Sequence, residues 1–390
     1  MRTLLVVVLV AAGLWGGYWF VGARAVEHGV TDWFASQGSG PLQVSQSGVD
    51  VQGFPNRFDL TVTQPRIVDE VSGTGWTAPF AQVFAMTWKP WHLIATLPQE
   101  QMLILPGQDV VVTSTLVQGS VVMVPGTDLV LDRTTVVGDG LALRSTAGWE
   151  ISATSARFAT RRAPDDALAH EIGVELTTVQ PDAAFRMALQ GQSDLPEQID
   201  RLRLDAWVDL SAPVDRHVGE TRPAIEAVKL REALLSWGDL VISGRGEVVP
   251  APDGRADGRI EIRVENWRKM VPVMVAAGLI TPQVTETVTR AMQLLAEQDG
   301  TPDVLDVPLV FQQGRMTLGP IPLGPAPSCA DVTGSRGGPC WTCRNADGLR
   351  DSRPIRAPAW FRRCRRRPSV RGASSGCNRP TPIARARSTG

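Results

Sequence analysis

The chain opens with an uncharged apolar run that limits how the rest of the protein can be placed. After Arg2, residues Leu4–Gly22 read LLVVVLVAAGLWGGYWFVG and contain no charged side chain. A helix that crosses a bilayer needs about 20 such residues. Four aromatic residues gather in Trp15–Phe20, as in the aromatic belt of a membrane interface. The run predicts a transmembrane anchor over residues 1–24, with residues 4–22 in the membrane.

The same segment admits a second interpretation. Ala23-Arg24-Ala25 places small residues at the two positions that a signal peptidase reads, which would make the run a cleaved signal peptide. The run is longer than the usual apolar region of about 7–15 residues in such peptides, which favours the anchor. Arg2 favours a cytoplasmic N-terminus, although Arg24 on the other side weakens this bias. Either way, the body at residues 25–327 is expected outside the cytoplasm.

Charge and cysteine divide the remaining chain into two unlike parts. Residues 329–390 contain fourteen Arg, three Asp and no Lys or Glu, a charge of +11, so the total of −1 leaves −12 for residues 1–328. All five Cys also lie in this last part. The body therefore has no disulfide, no thiolate metal site and no Cys nucleophile.

Three segments of the body alternate strictly between apolar and polar residues: Phe58–Thr63, Arg201–Leu210 and Arg259–Glu265. A period of two with one polar face is typical of half-buried antiparallel strands. Residues 100–160 are dense in Val, Leu and Thr between short turns, which predicts a meander of strands. The fold class is therefore β-rich α+β, a large and curved antiparallel sheet behind the N-terminal helix.

Two further segments are assigned to strands. Ala224–Trp237 fits neither period well, and we favour a strand because Leu240 and Ile242 follow in the style of a hairpin. Residues 303–323 alternate again around a turn at Gln313-Gly314.

A helical hairpin is predicted near residues 267–298. Asn266 is the expected N-cap of a helix over Trp267–Ala277, in which Pro272 must cause a kink or lie in the first turn. Thr281 is the expected N-cap of a second helix that ends before Gly300. The apolar positions of that helix recur at helical spacing: Val284, Val288, Met292 and Leu295.

The tail at residues 328–390 is rich in Arg, Pro, Ser, Gly and Cys and has no apolar period. Such a composition predicts disorder. It could be a basic arm that binds nucleic acid or anionic lipid, or a metal module around Cys340 and Cys343, although no His or second close Cys pair accompanies them. We favour a third interpretation, a frame-shifted reading of a GC-rich gene, and we therefore expect no nucleic-acid partner.

Several short motifs follow one another along the chain: Gly53–Phe58, Trp76–Pro79, Trp88–His92, Trp237-Gly238, Asn266-Trp267 and Leu318–Gly324. In this order they resemble the bacterial envelope family called domain of unknown function 2125, which is common in alphaproteobacteria. The resemblance covers residues 1–327. In that family the last motif closes the chain, which implies that the tail is extra. The resemblance also implies a single-pass protein of the bacterial inner membrane with its body in the periplasm, and it supplies no catalytic residues.

No catalytic, cofactor-binding or metal-binding residue emerges from the sequence, so we predict a protein that is not an enzyme and has no cofactor. The four His are scattered, and a turn at Trp88–His92 is expected to cover a sheet edge. Asp165-Asp166 reads as a solvated loop, and Asp205 and Asp209 are expected to form cross-strand ion pairs. Ten of the twelve Trp precede residue 328, and we expect most of them in the core.

Three functional hypotheses remain. The first is an envelope protein that binds lipid or another apolar ligand on a curved sheet, by analogy with other anchored, strand-rich envelope proteins. The second is a scaffold that binds another envelope protein through sheet edges or exposed Trp. The third is a hydrolase whose site is too dispersed to recognise. The ligand-binding residues are unknown at this level.

Overall fold

The computed structural model describes most of the chain up to residue 328. Only Ser328 of the predicted tail is described, and it forms an isolated β-bridge with Arg255. The other predictions for residues 329–390, and the predicted helix end at Gly300, lie outside the described residues. The described ranges are 1–37, 42–218, 223–298, 301–319 and 321–328.

Helix α1 spans Arg2–Ser36, so it continues twelve residues past the predicted anchor. No proline interrupts it, and its first half is rich in Leu, Val and Ala. Among the described residues it is the one helix long and apolar enough to cross a membrane. Its first apolar side chains are exposed, Leu4 by 73% and Leu14 by 72%.

Within the described residues, the body is dominated by one open antiparallel sheet of twenty strands, which confirms the predicted fold class. Most strands coincide with segments of alternating or β-branched residues, and many end at turns that contain Gly, Pro, Asn or Asp. The strands are β1 Leu42–Ser45, β2 Gly48–Gln52, β3 Arg57–Thr63, β4 Arg66–Asp69, β5 Thr74–Thr77, β6 Phe80–Met86, β7 Lys89–Leu97, β8 Glu100–Leu105, β9 Gln108–Thr113, β10 Leu116–Met123, β11 Leu131–Ser145, β12 Glu150–Arg162, β13 Ala169–Gln180, β14 Ile199–Leu210, β15 Ile225–Trp237, β16 Leu240–Pro250, β17 Ala256–Glu265, β18 Val304–Gln312, β19 Arg315–Leu318 and β20 Ile321–Pro325.

In the first half of the sheet, short strands lie end to end, so that two consecutive strands follow one bent path. Strands β9 and β10 lie end to end along one side of β11, which pairs with β10 through its first half and with β9 through its last residues. From there one branch runs β10-β7-β6-β3-β2 and the other β9-β8-β5-β4-β1. Consecutive strands such as β3 and β4 are separated by only two residues, so the chain passes from one branch to the other at each bend.

The bends follow one line across neighbouring strands. Gln64 at the β3–β4 bend, Gly140 within β11 and Thr178 within β13 all have positive φ, at 49°, 59° and 50°. A left-handed residue interrupts the regular pleat and turns the strand locally. The line therefore creases the sheet, in agreement with the predicted curvature.

The second half is a plain meander in which β11 to β20 pair in sequence order. The ambiguous segment before Trp237 is strand, as predicted. Gln313 and Gly314 have φ values of 52° and 70°, as a two-residue hairpin turn with left-handed central residues requires. The predicted strands at Phe58–Thr63, Arg201–Leu210 and Arg259–Glu265 are all present.

The short helices lie in loops at one end of the strands. Helix α2 spans Ala183–Leu189 between β13 and β14, and its N-cap Asp182 accepts a hydrogen bond from the Ala184 backbone N–H. Helices α3, Met270–Ala276, and α4, Thr285–Gln298, form the predicted hairpin between β17 and β18. Each of the latter begins with a short 3₁₀ turn, at Trp267–Lys269 and at Pro282–Val284.

Three details of this hairpin differ from the prediction. Asn266 does not cap the helix, because its left-handed backbone points its side-chain amide elsewhere, to donate to the Asp239 carbonyl. Thr281 makes no side-chain cap bond either. Val284 is 43% exposed because it lies in the 3₁₀ turn, out of phase with α4. Pro272 lies in the first turn of α3, where its missing N–H costs nothing.

The helical hairpin and the adjoining strands form the largest buried cluster. Trp267 is fully buried and donates its indole N–H to the Pro302 carbonyl, which satisfies its polar atom. The expectation that most Trp are core residues is wrong, because only Trp19, Trp237 and Trp267 of the ten described ones are buried. The cluster consists of Leu240, Val264, Trp267, Val271, Met292, Ala296, Leu305 and Val307.

Candidate functional site, an apolar face of the sheet

One face of the sheet carries an unbroken line of apolar residues across thirteen strands. Each member stands directly opposite the next in the pairing register, with Gly at two positions. We call this line the apolar row. It consists of Val51, Leu60, Val83, Ala95, Gly119, Val136, Phe158, Val174, Leu204, Ala233, Gly244, Ile262 and Val307.

The rows two residues away on the same face are also apolar for most of their length. Side chains two residues apart on a strand point to the same face, so these rows widen the surface. One runs from Leu97 on β7 to Leu305 on β18 with no polar member: Leu97, Val117, Gly138, Ala156, Leu176, Leu202, Leu235, Ile242, Val264 and Leu305. The other begins at Phe58 and contains only Thr134 and Thr160 as polar members.

The opposite face is polar over the same strands. Ion pairs cross between neighbouring strands, such as Arg203 with Glu232 at 3.4 Å and Arg263 with Asp306 at 2.8 Å. The predicted cross-strand pairing of Asp209 is present, with Lys229 on β15 at 3.2 Å. Such exposed pairs contribute little to stability, but they identify this side as the solvated one.

The apolar face is only partly covered. Of the apolar row, only Val307 is buried, at 5% exposed, while Phe158 and Leu204 are 37% and 36% exposed. A sheet that faces water on its polar side normally packs its apolar side against a second layer. The α3–α4 hairpin supplies this layer over Ile242 and Ile262. The remaining face is an exposed apolar patch of the kind that marks a binding surface.

A trough of about 450 Å³ lies on this face over β13–β18. Of its fifteen lining residues only Arg203 and Ser243 have polar side chains. Its size is within the range of about 300–1,000 Å³ that is usual for ligand sites. The walls include Leu176, Leu202, Leu204, Ala233, Ile242 and Ile262.

Helix α1 meets the same apolar face at its other end. Trp19 and Ala23 are buried against Phe58, and Val51 of the apolar row packs against this cluster. The indole N–H of Trp19 donates to the Arg57 carbonyl at 2.7 Å, and the Tyr18 hydroxyl donates to the Thr87 carbonyl at 2.8 Å. The apolar face therefore begins at helix α1 and ends at the α3–α4 hairpin.

The residues singled out in the sequence do not converge on one site. His92 is not in a turn that covers an edge; it lies within β7, and its ring nitrogen bonds the Ser120 hydroxyl at 2.9 Å. Trp88 forms the turn before it and is 56% exposed. The Asp165-Asp166 segment is an exposed loop, as predicted. Among the described residues no three His, Cys, Asp or Glu side chains form a group that could hold a metal.

The apolar row was not predicted from the sequence. Alternation within a single strand indicates which residues share a face, but the row exists only through the pairing of thirteen strands. Gly119 and Gly244 also hide it, because a lone glycine in a strand normally suggests a weak point or a bulge.

Comparisons with known proteins place the chain in a family without assigning an activity. No curated protein and no solved structure matches this sequence. The profile of domain of unknown function 2125, described as an uncharacterized protein conserved in bacteria, matches residues 19–327. The matched segment begins within helix α1 and ends next to β20, so it includes the whole apolar face, and the chain belongs to this family.

Proposed function

We propose that this protein is a membrane-anchored binding protein that holds the acyl chains of a lipid, or a ligand of similar apolar character, on the apolar face. It acts by binding and not by catalysis. Helix α1 anchors it as a single-pass protein of the bacterial inner membrane, with the body in the periplasm. The observation that carries the proposal is the apolar row, which is continuous from the helix to the trough and is largely uncovered.

The chemistry of the face fits a flexible hydrocarbon chain. Transfer of apolar surface out of water contributes roughly 25 cal/mol per Å² on both ligand and protein. The trough has almost no polar groups to orient a sugar, nucleotide or peptide, whereas an acyl chain needs none. The twelve steps between the strands of the row, at about 4.8 Å each, give a length of about 58 Å.

The test is lipid occupancy of the full chain after mild extraction, measured by native mass spectrometry. Wild-type protein is expected to retain bound lipid. Leu204→Glu puts a charge in the trough wall at a position already 36% exposed, so it should lower occupancy several-fold without unfolding the protein.

Leu116→Glu is the matched control. Leu116 is also 36% exposed, but it stands next to Val117 and faces the polar side, so occupancy should not change. Wild-type protein that is free of lipid, or an equal loss in both variants, would contradict the proposal. Capture of one defined envelope protein in place of lipid would favour the scaffold alternative.

A further inference from the structure

Three exposed aromatic side chains surround the point where helix α1 meets the body. Phe20 on the helix is 57% exposed, and Phe54 and Trp88 in the β2–β3 and β6–β7 turns are each 56% exposed. The rings of Phe20 and Phe54 lie 5.6 Å apart. Trp88 follows Thr87, whose carbonyl accepts the Tyr18 hydroxyl bond. We call Phe20, Phe54 and Trp88 the aromatic tip.

The aromatic tip lies beside the part of α1 that is predicted to be in the membrane, residues 4–22. A Cβ at Gly16 would lie 3.7 Å from the Phe54 ring, and the Trp15 indole donates to the Pro55 carbonyl at 3.1 Å. The body therefore reaches down along α1 as far as Trp15. On the N-terminal side of this contact, Arg2–Leu14 of the helix stands clear of the body.

The length of this clear part is insufficient to cross a bilayer. Thirteen residues at 1.5 Å each give about 20 Å, whereas the hydrocarbon core is about 30 Å thick. The missing 10 Å or so corresponds to Trp15–Val21, the segment that the body already flanks. If the helix spans, the body must share this depth of the membrane with it.

We infer that the aromatic tip inserts into the outer leaflet of the membrane that α1 crosses, so that acyl chains contact Phe54 and Trp88. Charge supports this depth. Arg57 and Lys89 are neighbours of Met86 in the strand ladder directly behind the tip, at the level where basic side chains meet lipid headgroups. Insertion would also cover an aromatic surface that is costly to leave in water.

The inference rests on the membrane anchor of the proposed function, but it does not depend on a lipid in the trough. It concerns the turns beside the helix, and it would hold if the apolar face bound some other ligand. It also differs from a simple anchor, in which the body would be free to move away from the bilayer on a linker.

The test places the photoreactive residue p-benzoylphenylalanine at Phe54, at Trp88 or at Val71 in the full chain, reconstituted into phospholipid nanodiscs. Val71 is a matched control because it is 80% exposed in the β4–β5 turn, at the opposite end of the bent strands. After irradiation, lipid adducts on acyl carbons are expected at positions 54 and 88 and not at 71. Each labelled chain is first checked for wild-type protease resistance.

Quenching provides a second readout that needs no photoreactive side chain. Lipids brominated high on the acyl chain should quench the tryptophan emission of wild type more than that of Trp88→Phe. Lipid adducts at positions 54 and 88 no more frequent than at 71, together with equal quenching, would overturn the inference. Adducts to a protein at both positions would also overturn it, because they would make the tip a protein-docking surface.

Discussion

Among single residues, His170 is one of the most deeply buried titratable side chains that the structure describes. It lies on β13 opposite Val208, is 4% exposed, and its Nε2 has no hydrogen-bond partner within the described residues. Its Nδ1 lies 3.4 Å from the Thr160 hydroxyl. Burial lowers the pKa of His170 below its usual 6.5, Arg162 lowers it further, and Asp132 opposes this shift.

This environment predicts a loss of stability in mild acid. Because the folded-state pKa is depressed, the unfolded chain binds more protons than the folded one once the pH falls below about 6.5, so the free energy of unfolding decreases there. His170→Leu should remove this part of the pH dependence in thermal melts between neutral and mildly acid pH. His217→Gln, at an exposed position, should leave it intact. Equal pH profiles for wild type and His170→Leu would contradict the prediction.

The sequence does not single out His170, because no other His or Cys lies near it in the chain. An isolated His carries no motif, and its burial follows from strand pairing that is fixed far away in the chain. The acidic residues were easier to interpret. Asp205 and Asp209 were expected to pair across strands because their neighbours on the same face are charged, and this is confirmed by Arg231 and Lys229.

Among the elements, helix α1 packs closely against the body. It is therefore more than an apolar segment of membrane-spanning length. Gly22 faces the Phe58 ring so closely that an added Cβ would lie 2.6 Å from a ring carbon. The Trp19 and Phe58 rings are also stacked, with centroids 6.2 Å apart, which adds to the contact between helix and sheet. The helix therefore approaches the sheet as closely as a glycine permits.

Gly22→Val should separate helix and body. The added side chain must displace a buried ring, a type of overpacking that costs about 1–3 kcal/mol. The control is Gly17→Val, since a Cβ at Gly17 meets nothing within 4 Å while the change in helix propensity is the same. We expect faster proteolysis between α1 and β2 in Gly22→Val only, measured in detergent. Matching cleavage rates in the two variants would show that the contact is unimportant.

The elements also show what local patterns can and cannot predict. The helical hairpin was predicted because Val288, Met292 and Leu295 keep a helical period, and a period is a property of the element itself. The capping role of Asn266 was wrong because a cap depends on backbone geometry that β17 imposes. A curved sheet was predicted, but the position of its crease was not, since Gln64 and Thr178 carry no residue signal for positive φ.

For the whole molecule, the decisive property is the register. A shift of one residue in any pairing would turn that strand's apolar side chains to the polar face. Thirteen strands nevertheless keep the row unbroken, past the irregular pairing at Leu230–Ala233 in β15. Turns and bulges fix this register, and their positions are difficult to predict from a single sequence. The sequence thus predicted a large antiparallel sheet behind an apolar helix, but neither its open edges nor the surface that crosses it.

The same continuity makes α1 part of the folded body and leads to a prediction about processing. Cleavage after Ala25 would remove Trp19 and Ala23 from Phe58 and leave the start of the apolar face bare. It would also leave the Arg57 and Thr87 carbonyls without their donors from Trp19 and Tyr18. We therefore expect the protein purified from its native membrane to retain residues 1–25, measured by mass spectrometry of its N-terminal peptide. It should also resist extraction by alkaline carbonate. A native chain that begins at Val26 and washes off with salt would refute this, and the helix would then be a signal peptide whose contacts exist only before cleavage.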